Sequence, residues 1–239
     1  MMKSISSKLC LLSAVACLAL SGTAATAQNT ASTTSKTTSA LKTASDTESS
    51  GGPWLVRLRM VSMINANRSA PFTAAGVNFA PDSLHLSDKV LPEVDLSYFV
   101  TPHWAAELIA TYPQDHAVSL SGLGPIGTVR HLPPTLMFQY HEHLKNSRLT
   151  PYIGLGVNFT WITSVNLKAA GIPLDVTRTS VGFAYQIGVD YDLGHHFSLN
   201  LDYKHINLNP DVKVKATETK LTNAQIDPDL LSLGIGYRF

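Results

Sequence analysis

From Trp54 to Phe239, apolar side chains recur at every second position in eight separate stretches. Period-two alternation marks a strand, whose successive side chains point to opposite faces. Trp54, Val56, Leu58 and Met60 oppose Arg57 and Arg59. Val94, Leu96, Tyr98 and Val100 oppose Glu93, Asp95 and Ser97. Trp104, Ala106, Leu108, Ala110 and Tyr112 oppose Glu107 and Ile109, and Leu136, Phe138 and Tyr140 oppose Thr135, Met137 and Gln139. The second half alternates more strictly. Ile153 to Trp161 is offset by Gly154, Gly156, Asn158 and Thr160, and Val181 to Tyr191 by Gly182, Ala184, Gln186, Gly188 and Asp190. Phe197 to Tyr203 is offset by Ser198, Asn200, Asp202 and Lys204, and Leu231 to Phe239 by Ser232, Gly234, Gly236 and Arg238.

These stretches have the length a tilted strand needs to cross a bilayer, roughly 9–11 residues. An even number suits an antiparallel closed barrel, which leaves no unpaired edge in lipid. The bulky residues all lie on the apolar face, and an eight-stranded barrel has a bore wide enough only for modest side chains. The apolar face therefore turns to lipid and the polar face to the lumen. A soluble lipocalin-type barrel would reverse the faces. The connections at 101–103, 142–150 and 192–196 are short, and those at 64–89, 113–132, 162–179 and 207–229 are long. Short turns alternating with long loops is the outer-membrane pattern, with turns and both termini periplasmic. The expected fold class is all-β, an eight-stranded antiparallel transmembrane β-barrel of the outer-membrane type.

Aromatic residues gather at the short-turn ends. Trp54, Tyr98, Trp104, Tyr140, Tyr152, Tyr191, Phe197 and Tyr237 are expected to form a headgroup-level girdle, with Tyr112 and Trp161 marking the opposite one. Inside, Arg57, Arg59, Glu93, Asp95 and Glu107 fall in the periplasmic half. Pairing the first two strands sets Arg57 near Asp95 and Arg59 near Glu93, and the tight turn at Pro102 sets Glu107 beside Asp95. Guanidinium forks suit carboxylates, and buried charges need partners, so these residues are expected to form a mutually satisfied charged plug. Higher up, the inward residues Val61, Met63, Ile109, Met137, Ile206 and Leu230 are apolar. They predict an outward-opening hydrophobic pocket, or the packed bore of a structural barrel.

The N-terminal region reads differently. Lys3 and Lys8 precede an apolar run from Leu9 to Leu20 and the small-residue site Ala25-Thr26-Ala27. Residues 1–27 are expected to be a secretory signal peptide cut before Gln28. The run is shorter than the ~20 residues a membrane anchor needs. Residues 28–52, rich in Ser, Thr and Ala, are expected to form a flexible periplasmic tail, leaving the barrel to residues 53–239. The only cysteines, Cys10 and Cys17, leave with the signal, which excludes a cysteine nucleophile or a disulfide scaffold. A net charge of +1 offers no field for nucleic acid.

Other constellations carry less. His141-Glu-His143 and His195-His196 lie at turns without a third ligand, so no metal or other cofactor is expected. Gly122-Leu-Gly-Pro-Ile-Gly127 has no helix after it, which argues for a mobile loop over a dinucleotide site. Some barrels trim lipid A with His and Ser on the lipid-facing wall. His205 faces lipid near the outer rim, but Asn207, not a serine, follows two residues on. No catalytic residue is assigned, and a lipid A-modifying enzyme is the least favoured reading.

Several segments carry a family resemblance: Trp54-Leu-Val-Arg-Leu-Arg, Tyr98-Phe-Val-Thr-Pro-His-Trp-Ala-Ala-Glu-Leu, Leu132-Pro-Pro-Thr-Leu-Met-Phe-Gln-Tyr-His, Pro151-Tyr-Ile-Gly-Leu-Gly-Val-Asn-Phe-Thr and Leu233-Gly-Ile-Gly-Tyr-Arg-Phe. Over nearly all of residues 53–239 the chain resembles the outer-membrane protein W family. The resemblance implies an eight-stranded barrel with a hydrophobic lumen that binds or passively passes small hydrophobic molecules. It equally allows a structural or receptor barrel that docks phage or colicin. It implies outer-membrane lipid and lipopolysaccharide as surroundings, and the barrel-assembly machinery as a partner that reads Phe239.

Overall fold

The computed structural model describes residues 51–74 and 76–239. The expected signal peptide, and residues 28–50 of the expected tail, lie outside the described residues. Gly52, the last residue of that tail, accepts a hydrogen bond from Arg238 Nε at 3.0 Å.

The barrel is built from β1 (Trp54–Ile64), β2 (Lys89–Phe99), β3 (Trp104–Thr111), β4 (Thr135–His141), β5 (Leu149–Ala169), β6 (Thr179–Gly194), β7 (Phe197–Ile206) and β8 (Asp229–Arg238). Each strand pairs antiparallel with its neighbours in sequence, and β1 pairs with β8 to close the ring. Closure leaves every barrel strand bonded on both edges, the condition for crossing a medium without hydrogen-bonding water.

Side-chain parity decides the two faces. On β1, Leu58 and Met60 are exposed while Arg57, Arg59 and Val61 are buried. The same inversion holds around the ring: Leu136, Leu155, Val181, Leu199 and Leu233 point out, and Gln139, Asn158, Gln186, Asn200 and Ser232 point in. A water-soluble fold of this size would not leave a continuous apolar wall exposed over a charged interior. Acyl chains are the solvent such a wall fits.

The short turns are tight. Thr101 Oγ1 accepts from the backbone of His103 and Trp104 and so closes the β2–β3 turn. His195 and His196 both adopt left-handed backbone at the β6–β7 turn, φ 53 and 70.

The long connections are not irregular loops. Gln114–Leu120 and Gly124–Leu132 form a hairpin that pairs with Leu84–Leu86 on one side and with the upper half of β5 on the other. Ile172–Val176, Asp211–Val214, Lys220–Gln225 and Arg68–Ser69 continue the pairing in turn. Asn67 links this last strand back to Leu86 through Nδ2 and Oδ1 at 3.3 and 2.8 Å. The strands thus form a second ring, a collar standing on the long-loop end of the barrel. It explains why β5 runs 21 residues, about twice the length that crosses a bilayer. The expected loop at Gly122–Gly127 is corrected accordingly: the turn is short, and Gly127 already lies in a strand, paired with Leu167.

Candidate functional site

The interior is layered, and each layer follows from which inward positions the register sets level. The lowest layer is ionic. Arg57 lies opposite Asp95, and Arg59 opposite Glu93, across the β1–β2 ladder. The side chains cross diagonally. Arg57 grips Asp190 through Nε and Nη2 at 3.2 and 2.7 Å, and reaches Glu107 through Nη1 at 2.8 Å. Arg59 Nη1 lies 3.1 Å from Asp95, 3.5 Å from Glu93 and 3.7 Å from Asp202. Lys204 Nζ donates to both oxygens of Glu93, at 3.2 and 3.3 Å. Glu107 stands opposite Ser97, not Asp95, and also accepts from Gln139 and Gln186.

Five residues expected in this cluster are therefore together, but the cluster is larger. Asp190, Asp202, Lys204 and Tyr152 belong to it and escaped the sequence reading. Their signal was available: Asp190, Asp202 and Lys204 sit on the polar face of β6 and β7. Tyr152 is a correction. Expected in the lipid girdle, it is buried in the bore, donating its hydroxyl to Asp202 at 2.8 Å, with the Arg57 guanidinium 5.2 Å from its ring centre. Burying the ring inside requires space on the opposite strand, and Gly188 pairs with Tyr152. A Cβ there would stand 2.8 Å from Tyr152 Cε1. Gly234 does the same for Arg59, whose Cγ a Cβ would approach to 2.7 Å. The other seven girdle residues are on the outer face. Trp54 packs on Tyr98, Trp104 between Phe138 and Tyr140, and Phe197 on Tyr237.

Above the ions the bore turns apolar. Val61, Met63, Ile109, Met137, Ile206 and Leu230 are all buried in one continuous hydrophobic cluster. Met63, Ile109, Ile206 and Leu230 line a small chamber with about 20 Å³ of free space. Val61 and Met137 do not line it. The chamber is not purely greasy, since Asn65, Gln114, Thr135 and Asn158 also face it, and the ion-paired Glu93 and Lys204 line it too. A second small chamber, with about 30 Å³ of free space, lies within the collar, walled by side chains such as Leu86, Val129, Leu174 and Val212. His131, Thr160, Leu208 and Ile226 line both chambers and form the neck between them.

The neck carries a histidine pair. His131 stacks on His116, ring centres 4.7 Å apart and planes 22° from parallel. Burial drives the His131 imidazole down to about 3, with the neighbouring His116 adding to the fall. Burial also lowers His116, against the backbone carbonyl of Ser87 that favours its protonated form. Both rings are neutral at physiological pH.

The histidines near the turns have separate surroundings. His141 is buried between Phe99 and Tyr152, with Nε2 2.9 Å from Gln139, while exposed His143 turns to the Pro102 carbonyl. Among the described residues no group of three or more His, Cys, Asp or Glu could hold a metal ion. On the outer wall, His205 Nδ1 lies 2.8 Å from Asp229, which also accepts from Tyr203.

Comparison with known proteins places this architecture. The OmpW family model matches residues 50–239. A protein of Sinorhizobium fredii described as "Uncharacterized outer-membrane protein y4mB" is 37% identical over 78% of this chain and 80% of its own length. Outer membrane protein W of Vibrio cholerae is 34% identical over 60% of this chain and 71% of its own. In fold, the chain is similar to the crystal structure of the outer membrane protein OprG from Pseudomonas aeruginosa. The TM-score is 0.66 at 23% identity, covering 79% of this chain and 97% of that one.

Proposed function

This chain belongs to the OmpW family of outer-membrane β-barrels, and on that premise we propose that it binds and passively passes small hydrophobic molecules. The observation that carries the reading is the layering of the bore. Two joined chambers with predominantly apolar walls stand over a lower half filled by ion-paired side chains. An apolar solute in the chambers replaces wall–water contact by wall–solute contact, a gain of about 25 cal/mol per Å² of apolar surface buried. The ionic layer opposes straight transit, because a solute passing it must separate desolvated charges. It also opposes a water-filled pore.

In this reading the collar faces the cell exterior and the short turns face the periplasm. Both ends of the barrel, Trp54 and Arg238, then lie on the periplasmic side. Phe239 is exposed there while its backbone bonds to Trp54, which suits recognition by barrel-assembly machinery. Lipopolysaccharide is the lipid that the collar end would meet.

The reading is tested with the chain in vesicles whose outer leaflet is lipopolysaccharide, loaded with a fluorescent apolar probe from outside. Met63→Asp and Ile206→Asp each put a carboxylate into the lower chamber and should cut probe uptake about tenfold. Uptake by both variants equal to that of the unmodified chain would exclude the chambers as the route.

A further inference from the structure

Resting on the proposed apolar passage, we infer that the lower chamber selects molecules whose apolar chain ends in an uncharged hydrogen-bond donor, such as a hydroxyl or an amide N–H. The chamber holds an imbalance that the passage of bare hydrocarbon does not need. Asn65 and Gln114 line it, both almost fully buried, and both present an amide oxygen with no hydrogen-bond partner. His116, two residues from Gln114, is fully buried with Nε2 equally unpartnered, but it does not line the chamber.

The chemistry of the Asn65 and His116 atoms is settled by what their opposite ends do. Asn65 Nδ2 lies 3.1 Å from the Ser87 carbonyl, an acceptor, so the nitrogen must be on that side and the oxygen on the free side. His116 Nδ1 lies 3.0 Å from the same carbonyl and must carry the ring proton. Nε2 of the neutral ring is then a bare lone pair. Gln114 Nε2 reaches Thr111 Oγ1 at 3.4 Å, which turns its oxygen the other way. Asn65 and Gln114 thus each offer the chamber an amide oxygen without a hydrogen-bond partner.

Leaving a buried acceptor unmade is costly, whereas a ligand that supplies the donor recovers that cost. A hydroxyl or amide N–H fits. An ether, ester or carboxylate head brings only more acceptors. A bare ammonium would have to compete with Lys204 for Glu93, the carboxylate on the chamber lining, whose two oxygens Lys204 already holds. With the head held at this level, the chain of the molecule extends through the neck at His131 and Leu208 into the upper chamber, whose lining is almost wholly apolar. The bore therefore orients its cargo, head toward the ions and tail toward the collar.

The test compares 1-decanol with decyl methyl ether, each loaded at the same mole fraction into nanodiscs holding the chain. The pair differs in the donor and hardly in apolar length. Binding is read from the side-chain amide resonances of Asn65 and Gln114. Decanol should shift both and bind about tenfold tighter than the ether, the effect expected for one hydrogen bond to an otherwise orphaned acceptor. Gln114→Leu and Asn65→Leu, each checked for heat-modifiable migration, should bring that ratio close to one. Equal binding of alcohol and ether to the unmodified chain overturns the inference and leaves the apolar passage standing. If neither molecule binds, the apolar passage falls with it. The comparison on the unmodified chain decides the matter even if a variant does not fold.

Discussion

The ionic layer makes an unequal demand on its members, and the inequality can be measured. Five carboxylates, Glu93, Asp95, Glu107, Asp190 and Asp202, share three cations, Arg57, Arg59 and Lys204. Glu107 is fully engaged, accepting from Arg57, Ser97, Gln139 and Gln186. Asp95 is not. Neither of its oxygens accepts a hydrogen bond, and its attraction to Arg59 Nη1 at 3.1 Å is off-axis. Replacing Glu107 by Gln removes one of the two carboxylates that hold Arg57, the other being Asp190, and sets an amide donor against other donors. Breaking a buried pair in this way costs about 3–5 kcal/mol. Asp95→Asn keeps the shape and removes one charge from the surplus side, so it should change stability by less than about 1 kcal/mol, in either direction. The assay is urea unfolding of the chain folded into phospholipid vesicles. The fluorescence of Trp54, Trp104 and Trp161 reports it, all three being on the lipid-facing wall. An Asp95→Asn loss as large as that of Glu107→Gln would refute the reasoning, since the layer would then be balanced as it stands.

Other outcomes follow from the same geometry. Gly188→Ala should cost about 1–3 kcal/mol, because its methyl would press on Tyr152 from the opposite strand; a neutral result in the same unfolding assay would mean the ring is free to move aside. Acid should loosen the collar. The unfolded imidazole of His131 takes up a proton near 6.5 and the folded one only near 3, so between those values the unfolded collar holds more protons and its stability falls as pH falls, by at most about 1.4 kcal/mol per pH unit. The hydrogen-exchange protection factors of residues 114–132, taken relative to the intrinsic amide rate at each pH, should fall from pH 7 to pH 4 and should not do so in His131→Phe; pH-independent protection would contradict the burial argument. A spin label at Leu199 should meet a lipid-borne quencher and one at Asn200 should not, the reverse being incompatible with an apolar wall facing lipid. Truncating the plug with Arg57→Ala and Arg59→Ala together should raise ionic conductance in planar bilayers above that of the unmodified chain, and unchanged conductance would deny the layer its sealing role.

Much of this protein was determined by the alternation of its residues. Strand parity is a local property: a backbone of period two sends Leu58 and Arg59 to opposite faces whatever the rest of the chain does. The strand count, the two faces, the short turns and the pairing of Arg57 with Asp95 follow from it. The inward turn of Tyr152 was also legible, because it alternates with Ile153; its height near a strand end argued for the girdle, but parity won. Tertiary structure alone decided which charges meet. A guanidinium reaches farther than the spacing of neighbouring strands, so Arg57 bypasses its ladder partner for Asp190, 133 positions away. Closure of the ring brings β1 beside β8, and the narrow bore then brings its charges across to β6 and β7. The collar is likewise beyond local reading, because its strands are short and pair across segments far apart in the chain. So are the unpartnered amide oxygens of Asn65 and Gln114. Each is an ordinary polar residue in sequence, and what distinguishes them is burial without a partner, which exists only once separate segments have packed together.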